Sequence, residues 1–497
     1  MLERLNIGIT AFNKLDTRLF IFVLLCLNYL TFNLTSNEEF YFALAKQFVD
    51  PDWLPHSFSL VEWPATRFLY QLLVGSMLSF LSFEQTAFFS RLLSCLLFAF
   101  PLARLFRHLK LTNLEVLFLL QVIYFGQQSL FAGEWIFGAF KPKTLAYVSL
   151  FYGLDYLLSG KHLKGILATL VATYIHALVG SWFALIYFLY LAVRKQPLRT
   201  ILRLAALYMV VVAPLLVYLA KPILIDNPTA INGINLDWIY VYFRHPHHLA
   251  PFKSLLFFAR EFLAGVLVSL AWFLLCIFVF RSLEDQHVRK LNLLNIITFS
   301  ILFASLLFAI FDRNGVYLKF YPFRISALSM LFIILQSAIM LKKYILPERY
   351  ATSIAAILLC LSLPGLADNS LRTVRRLAEP HVRPDLETLA DYVREHTDQR
   401  DVFIFTGFQD QEDELSFSRK TRRENFVLDK FVPTGGKKLY EWYQRLQQKE
   451  QIGKDLEALF ELTDTYRVDY LVANRPHEHQ RLIPVYQNTT YFVYRID

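Results

Sequence analysis

The chain has 497 residues, 55% of them hydrophobic and 18% charged, and its mean hydropathy is positive at +0.38. That balance excludes an ordinary soluble domain and points to a polytopic membrane protein. The formal net charge of +9 sits in short basic clusters between apolar runs, which is the distribution of the positive-inside rule, so no nucleic-acid partner is expected.

The opening MLERLNIGITAFNKLDTR precedes an apolar run without a small-residue cleavage site, so that run reads as a retained span and not a signal peptide. Cys26, Cys95, Cys276 and Cys360 lie within apolar runs and lack CxxC spacing, which implies neither a disulfide framework nor a zinc site. Candidate spans cover 19–34, 86–103, 113–127, 143–158, 165–181, 181–193, 203–220, 262–280, 291–311, 325–341 and 350–366, with a tight turn at Gly180 between two of them.

The apolar stretch 67–82 is ambiguous by length alone, and charge arbitrates. If it lies along the membrane surface, the connections on one side carry 18 Lys plus Arg and the longer connections on the other side carry 9. If it crosses, nearly all basic turns face outward. The charge rule therefore predicts a juxtamembrane helix at 67–82, about eleven spans, a cytoplasmic N-terminus and an extracytoplasmic C-terminus in the inner membrane. The expected division is a mainly α transmembrane bundle over 1–366, with a first outer loop at 34–84, and a small C-terminal α/β domain over 370–497.

In that tail, 385–396, 437–448 and 454–462 read as helices, and 402–405, 425–431, 468–472 and 489–496 as strands. No GxGxxG, P-loop, HExxH or GxSxG occurs, which leaves nucleotide, zinc-protease and serine-hydrolase readings unsupported.

Four polar sets converge on the outer face in this topology. After the first span, Ser36 and Glu39 have capping-box spacing, which gives Glu39 a structural role. Glu38 is left for chemistry or as a favourable charge on a helix N-terminus. Next come Glu134, Lys141 and Lys143, with His176 late in the following hairpin. Ionisable groups beside hydrocarbon are expensive, so this gathering is a functional-site hypothesis; the alternative is a salt bridge plus a satisfied histidine. Arg244, His247 and His248 lie in YFRHPHHLAP, where no carboxylate or cysteine spacing completes a metal site. Tyr321 and Arg324 lie in DRNGVYLKFYPFR at a span boundary, where snorkelling is the alternative for the basic residues. Carboxylates beside several cations suit transfer chemistry on a lipid-phosphate-linked substrate, because Arg and Lys contact phosphate and a carboxylate can take a proton from an acceptor hydroxyl.

The acidic pair in Glu38-Glu39-Phe40-Tyr41-Phe42 after the first span, the juxtamembrane helix, and a span opening Phe89-Ser90-Arg91-Leu92 resemble the C-type (GT-C) glycosyltransferase superfamily, mainly over residues 15–200. Glu134…Lys143, His176-x-x-x-Gly180, Arg244-His245-Pro246-His247-His248, Tyr321-Pro322-Phe323-Arg324, the tract Ser418–Arg423 and Glu441-Trp442 are similar to a bacterial polytopic membrane family of unknown function. The superfamily resemblance implies Glu38 as catalytic base and Glu134 as a second-loop acid. Arg91, Lys143, His176 and Arg324 are the expected donor-phosphate contacts, and Glu39, Lys141, Arg244, His247, His248 and Tyr321 complete the expected substrate-binding set.

The expected partners are membrane lipid and a polyprenyl-phosphate-linked sugar, with the acceptor undetermined. The superfamily more often carries Asp in the first loop, and a DxD-type pair is missing, so no cofactor is assigned and a divalent metal stays open. The competing readings are a transporter or flippase for an anionic lipid, and a non-catalytic scaffold whose tract 419–423 is either an interaction surface or a solvated face.

Overall fold

The computed structural model describes residues 2–60, 66–226, 228–345, 351–379, 382–408, 412–433 and 436–497. Of the basic turn expected at 342–349, residues 346–349 lie outside these residues. The chain divides into two compact units, one made of Met1–Thr31, Phe88–Val217 and Tyr240–Ala378, the other of Phe32–Ala87, Tyr218–Ile239 and Glu379–Asp497.

The first unit is helical. Among the described residues, Phe83–His108, Leu198–Ala220, Leu263–Ser282, Gln286–Phe311 and Leu318–Tyr344 are long and apolar enough to cross a membrane. Val210, Phe278 and Phe311 on these segments are at least 71% exposed, as lipid-facing side chains are. Shorter apolar helices include Thr17–Tyr29, Asn113–Phe125, His162–Ile175 and Ala177–Val193. Asp16 caps the first of these by accepting from the Arg18 and Leu19 amides, and a Thr112–Glu115 capping box starts the second.

Buried amides join three of the longer helices. The Gln336 side-chain oxygen accepts from Asn295 at 2.6 Å and from Trp272 at 3.3 Å, while its nitrogen donates to Asn292 at 3.3 Å. With little hydrophobic drive between helices in lipid, such bonds fix which helices pair.

The hairpin expected to turn at Gly180 breaks instead at His176, whose backbone is extended (φ −151°, ψ 97°) between His162–Ile175 and Ala177–Val193. Gly180 has a different role: a Cβ there would lie 2.3 Å from the Thr173 amide nitrogen and Oγ1. The missing side chain lets the two helices touch, whereas the turn needs only one non-helical residue.

In the second unit, helix Ser36–Val49 packs against Phe68–Met77, and a Cβ at Gly75 would meet the Ala45 carbonyl oxygen at 2.4 Å. Phe68–Met77 has 10 residues, a length of about 15 Å, roughly half of a hydrocarbon core. The C-terminal segment forms a five-stranded mixed sheet. Glu424–Asn425, Val402–Thr406 and Tyr470–Ala473 run parallel, and Phe492–Ile496 and Leu482–Gln487 continue antiparallel. Helix Pro384–His396 buries Leu386, Leu389 and Val393 against Phe403, Phe405 and Val472.

Three tail elements differ from expectation, one of them the unexpected helix Glu412–Thr421. Of the strand expected at 425–431, the pairing with Val402–Thr406 ends at Phe426, whose amide donates to the Phe403 carbonyl at 2.8 Å; beyond it the Trp442 indole donates to the Leu428 carbonyl at 3.0 Å, and Val427 and Leu428 are buried outside the ladder. Leu482–Gln487 is a strand despite Pro484, because it is an edge strand that can spare the missing N–H.

Gly180→Ala should destabilise the protein by about 1–3 kcal/mol through overpacking. Gly8→Ala, in helix Leu2–Asn13 with open space around it, should be neutral or stabilising; unfolding midpoints in detergent read both.

Candidate functional site

The first unit contains a dense ionisable cluster, built on the loop between Asn113–Phe125 and Pro142–Leu158. The loop folds inward because its own polar groups satisfy it. Gln128 accepts from the Ile136 and Phe137 amides at 2.9 and 2.8 Å, Ser129 accepts from the Glu134 amide at 3.0 Å, and Ser326 donates to the Phe131 carbonyl at 2.8 Å. Ala132 and Gly133 both take positive φ to make the bend.

Glu134 is carried 2% exposed into the unit. Its Oε1 accepts from Arg324 Nε at 3.0 Å and its Oε2 from Lys143 Nζ at 2.5 Å. Burial pushes this carboxyl up, but the Arg324 guanidinium and the Lys143 ammonium outweigh it and hold the group well below the usual carboxylate range. Glu134 is therefore ionised with both oxygens engaged, and the three charges leave a net positive site.

Arg324 also approaches His176 Nε2 at 3.3 Å. The His176 Nδ1 lies 3.4 Å from the Val179 amide, so each ring nitrogen faces an N–H group. The Arg324 guanidinium lies 4.4 Å from the Tyr321 ring centroid. Tyr321 holds φ +54°, a sparsely occupied conformation for an aromatic residue, and its hydroxyl is 3.2 Å from that of Tyr240. His248 bonds the Ala132 carbonyl through Nδ1, and the His247 ring lies 4.0 Å from it. Burial pushes His248 down to about 4.

The structure thus brings together Glu134, Lys143, His176 and Arg324, flanked by Tyr321, His247 and His248. Lys141 is buried at the N-cap of Pro142–Leu158, and Arg244 ends a π-helical turn at Ile239–Arg244. Arg91, also buried, reaches the Tyr29 carbonyl at 3.4 Å. Sequence reasoning missed Gln128, Ser129 and Tyr240; the Gln-Ser pair opening a loop between apolar runs and the tyrosine just before the histidine tract were the available signals. Among the described residues, no three His, Cys, Asp or Glu side chains gather as a metal site.

Glu38 and Glu39 belong to the second unit, and their expected capping roles are exchanged. Thr35 is the N-cap: its amide and hydroxyl donate to Glu38 Oε2 at 2.9 and 3.0 Å, so Glu38 closes the capping box. Glu39 instead takes two bonds from Arg419, each at 2.8 Å, and Arg419 also reaches Glu84 at 2.7 Å. The tract 419–423 is accordingly neither a solvated face nor an open surface throughout. Arg419 is 10% exposed, and Arg423 is buried on the carbonyls that end Pro384–His396.

Glu134→Gln should leave two buried cations short of their counter-charge and cost about 3–5 kcal/mol of stability. Acid should act in the same direction. His248 falls from an ordinary 6.5 to about 4 on folding, so its contribution is present above pH 6.5 and is lost as pH falls toward about 4. Thermal midpoints measured from pH 7 to 4 should decline, with a shallower decline in His248→Gln.

No family model and no curated protein matches the sequence. Among solved structures, arabinofuranosyltransferase AftD from Mycobacteria aligns with TM-score 0.52 and 13% identity over 97% of this chain and 39% of that one. ArnT from Cupriavidus metallidurans, bound to undecaprenyl phosphate, aligns with TM-score 0.45 and 14% identity over 98% of both chains. The chain spans about two fifths of the AftD length. At this identity the AftD likeness is one of fold alone.

Proposed function

We propose that the protein is a membrane glycosyltransferase-like enzyme that uses a sugar linked to polyprenyl phosphate at the outer face of the membrane. The observation that carries the reading is the buried Arg324–Glu134–Lys143 cluster, in a fold shared with an arabinofuranosyltransferase. Glu134 acts here as the group that positions two cations. Arg324 and Lys143 retain donors beyond those given to Glu134 and His176, and these suit the oxygens of a phosphate. The bond from the sugar's anomeric carbon to the phosphate oxygen breaks as an acceptor oxygen attacks that carbon. The cations stabilise the charge growing on the departing polyprenyl phosphate.

The superfamily resemblance assigns the acceptor's proton to Glu38. A glutamine can still serve a capping box, so Glu38→Gln separates the two roles: loss of turnover with stability kept supports a base, and retained turnover limits Glu38 to capping. The reading keeps about eleven spans, a cytoplasmic N-terminus, an extracytoplasmic C-terminal domain over 370–497 and the inner membrane. Glu39, Lys141, Arg91, Arg244 and a divalent metal have no assigned step in it.

A second reading, an anionic-lipid transporter, draws on the chain breaks at His176 and Tyr321 beside the ionisable cluster, since transporters bind at interrupted helices. Purified protein incubated with a panel of polyprenyl-phosphate sugars should release polyprenyl phosphate, and Arg324→Met should slow release by about 100-fold or more. Failure of the wild type to bind any donor would overturn the proposal. Movement of the donor across a vesicle membrane without its cleavage would favour transport.

A further inference from the structure

The second unit has an open-sided cavity of about 470 Å³ against the Val402–Thr406 and Glu424–Asn425 strands. Its walls include Phe58, Arg400, Glu424, Arg445, Tyr466 and Arg467, with His56 exposed at the rim. Three guanidinium groups against one carboxyl make the lining cationic.

Two of these arginines are held in place. Arg445 donates to Glu441 at 2.8 Å and to the Phe426 carbonyl at 2.9 Å, and its guanidinium stacks 3.9 Å from the Phe58 ring centroid and 4.8 Å from that of Tyr466. Arg467 is tied to Asp401 at 3.1 Å and Asp469 at 2.9 Å. Arg400 makes no ion pair among the described residues and is exposed at the cavity.

Glu424 is the unusual member. Its carboxylate accepts from the Phe58 amide, and the cations nearest to it, Arg445 and Lys438, both come from helix Gly436–Ile452. Burial outweighs these neighbours and pushes the carboxyl up to about 7. A carboxyl that holds a proton near neutrality, in a cavity rimmed by arginines and aromatic rings, has no structural need that the sheet explains.

We infer that this cavity is a binding site for an acidic sugar unit, a uronate or a sugar phosphate. The volume exceeds what a bare ion needs and falls within the range of small-ligand pockets. The arginines supply the forked donors that carboxylate and phosphate require. Phe58 and Tyr466 add apolar surface to the lining for the carbon skeleton of a sugar. Protonated Glu424 donates to the ligand, and ionised Glu424 repels it. Affinity for a ligand of fixed charge therefore strengthens as pH falls. The inference stands whether or not the first unit carries transfer chemistry.

Calorimetric titration of the purified full chain with glucuronate, glucose 1-phosphate, glucose and inorganic phosphate tests it. Carried in a His56→Gln background, glucuronate, whose charge is constant over this range, should bind about tenfold more tightly at pH 6 than at pH 8. Glu424→Gln should bind glucuronate equally at both pH values, and Arg400→Ala should weaken its binding at both. Glucose binding as tightly as glucuronate would overturn the inference, as would absence of binding by both acidic sugars. Inorganic phosphate matching glucose 1-phosphate would overturn the sugar assignment.

Discussion

The first unit depends on one buried carboxylate shared between two cations. Taking Arg324 and Lys143 out of water is costly, and Glu134 repays that cost with two bonds of 3.0 and 2.5 Å. Glu134 in turn reaches that position only because Gln128 and Ser129 satisfy the amides of its loop. The loop, the start of Pro142–Leu158, the break at His176 and the turn at Tyr321 are four separate pieces of chain that this cluster ties together. A fully neutral core would hold helices as well, so the retention of a net positive charge is what turns a packing arrangement into a candidate for binding an anion.

Much of this was legible in the sequence for a simple reason. Glu134, Lys143 and His176 stand out in apolar surroundings, and the expense of ionisable groups there makes them conspicuous. Arg324 was visible as a charge at a span boundary, but its bond to Glu134 crosses 190 residues and no local pattern encodes it. The capping exchange has a different origin. The stretch Thr35-Ser36-Asn37-Glu38-Glu39 contains two overlapping S/T-x-x-E patterns, and the backbone entering the helix decides between them. Arg419 looked like part of a surface tract because its partners, Glu39 and Glu84, lie 380 and 335 residues away.

The capping exchange also changes how the acids are weighed. Glu38, left in the sequence between chemistry and a charge on a helix N-terminus, closes a helix cap, while Glu39, expected at the cap, sits in a buried ion pair. Neither is a solvated spare carboxylate. Likewise Gly180, expected at a turn, serves a helix contact. In each case the residue type was informative and its assignment shifted by one register or one turn, the scale on which backbone geometry decides.

The most direct test of the central claim is a structure of the protein with a polyprenyl phosphate bound. The account predicts phosphate density within hydrogen-bonding distance of Arg324 and Lys143, with Glu134 still bridging them. Phosphate bound elsewhere, with this cluster unchanged and untouched, would contradict it.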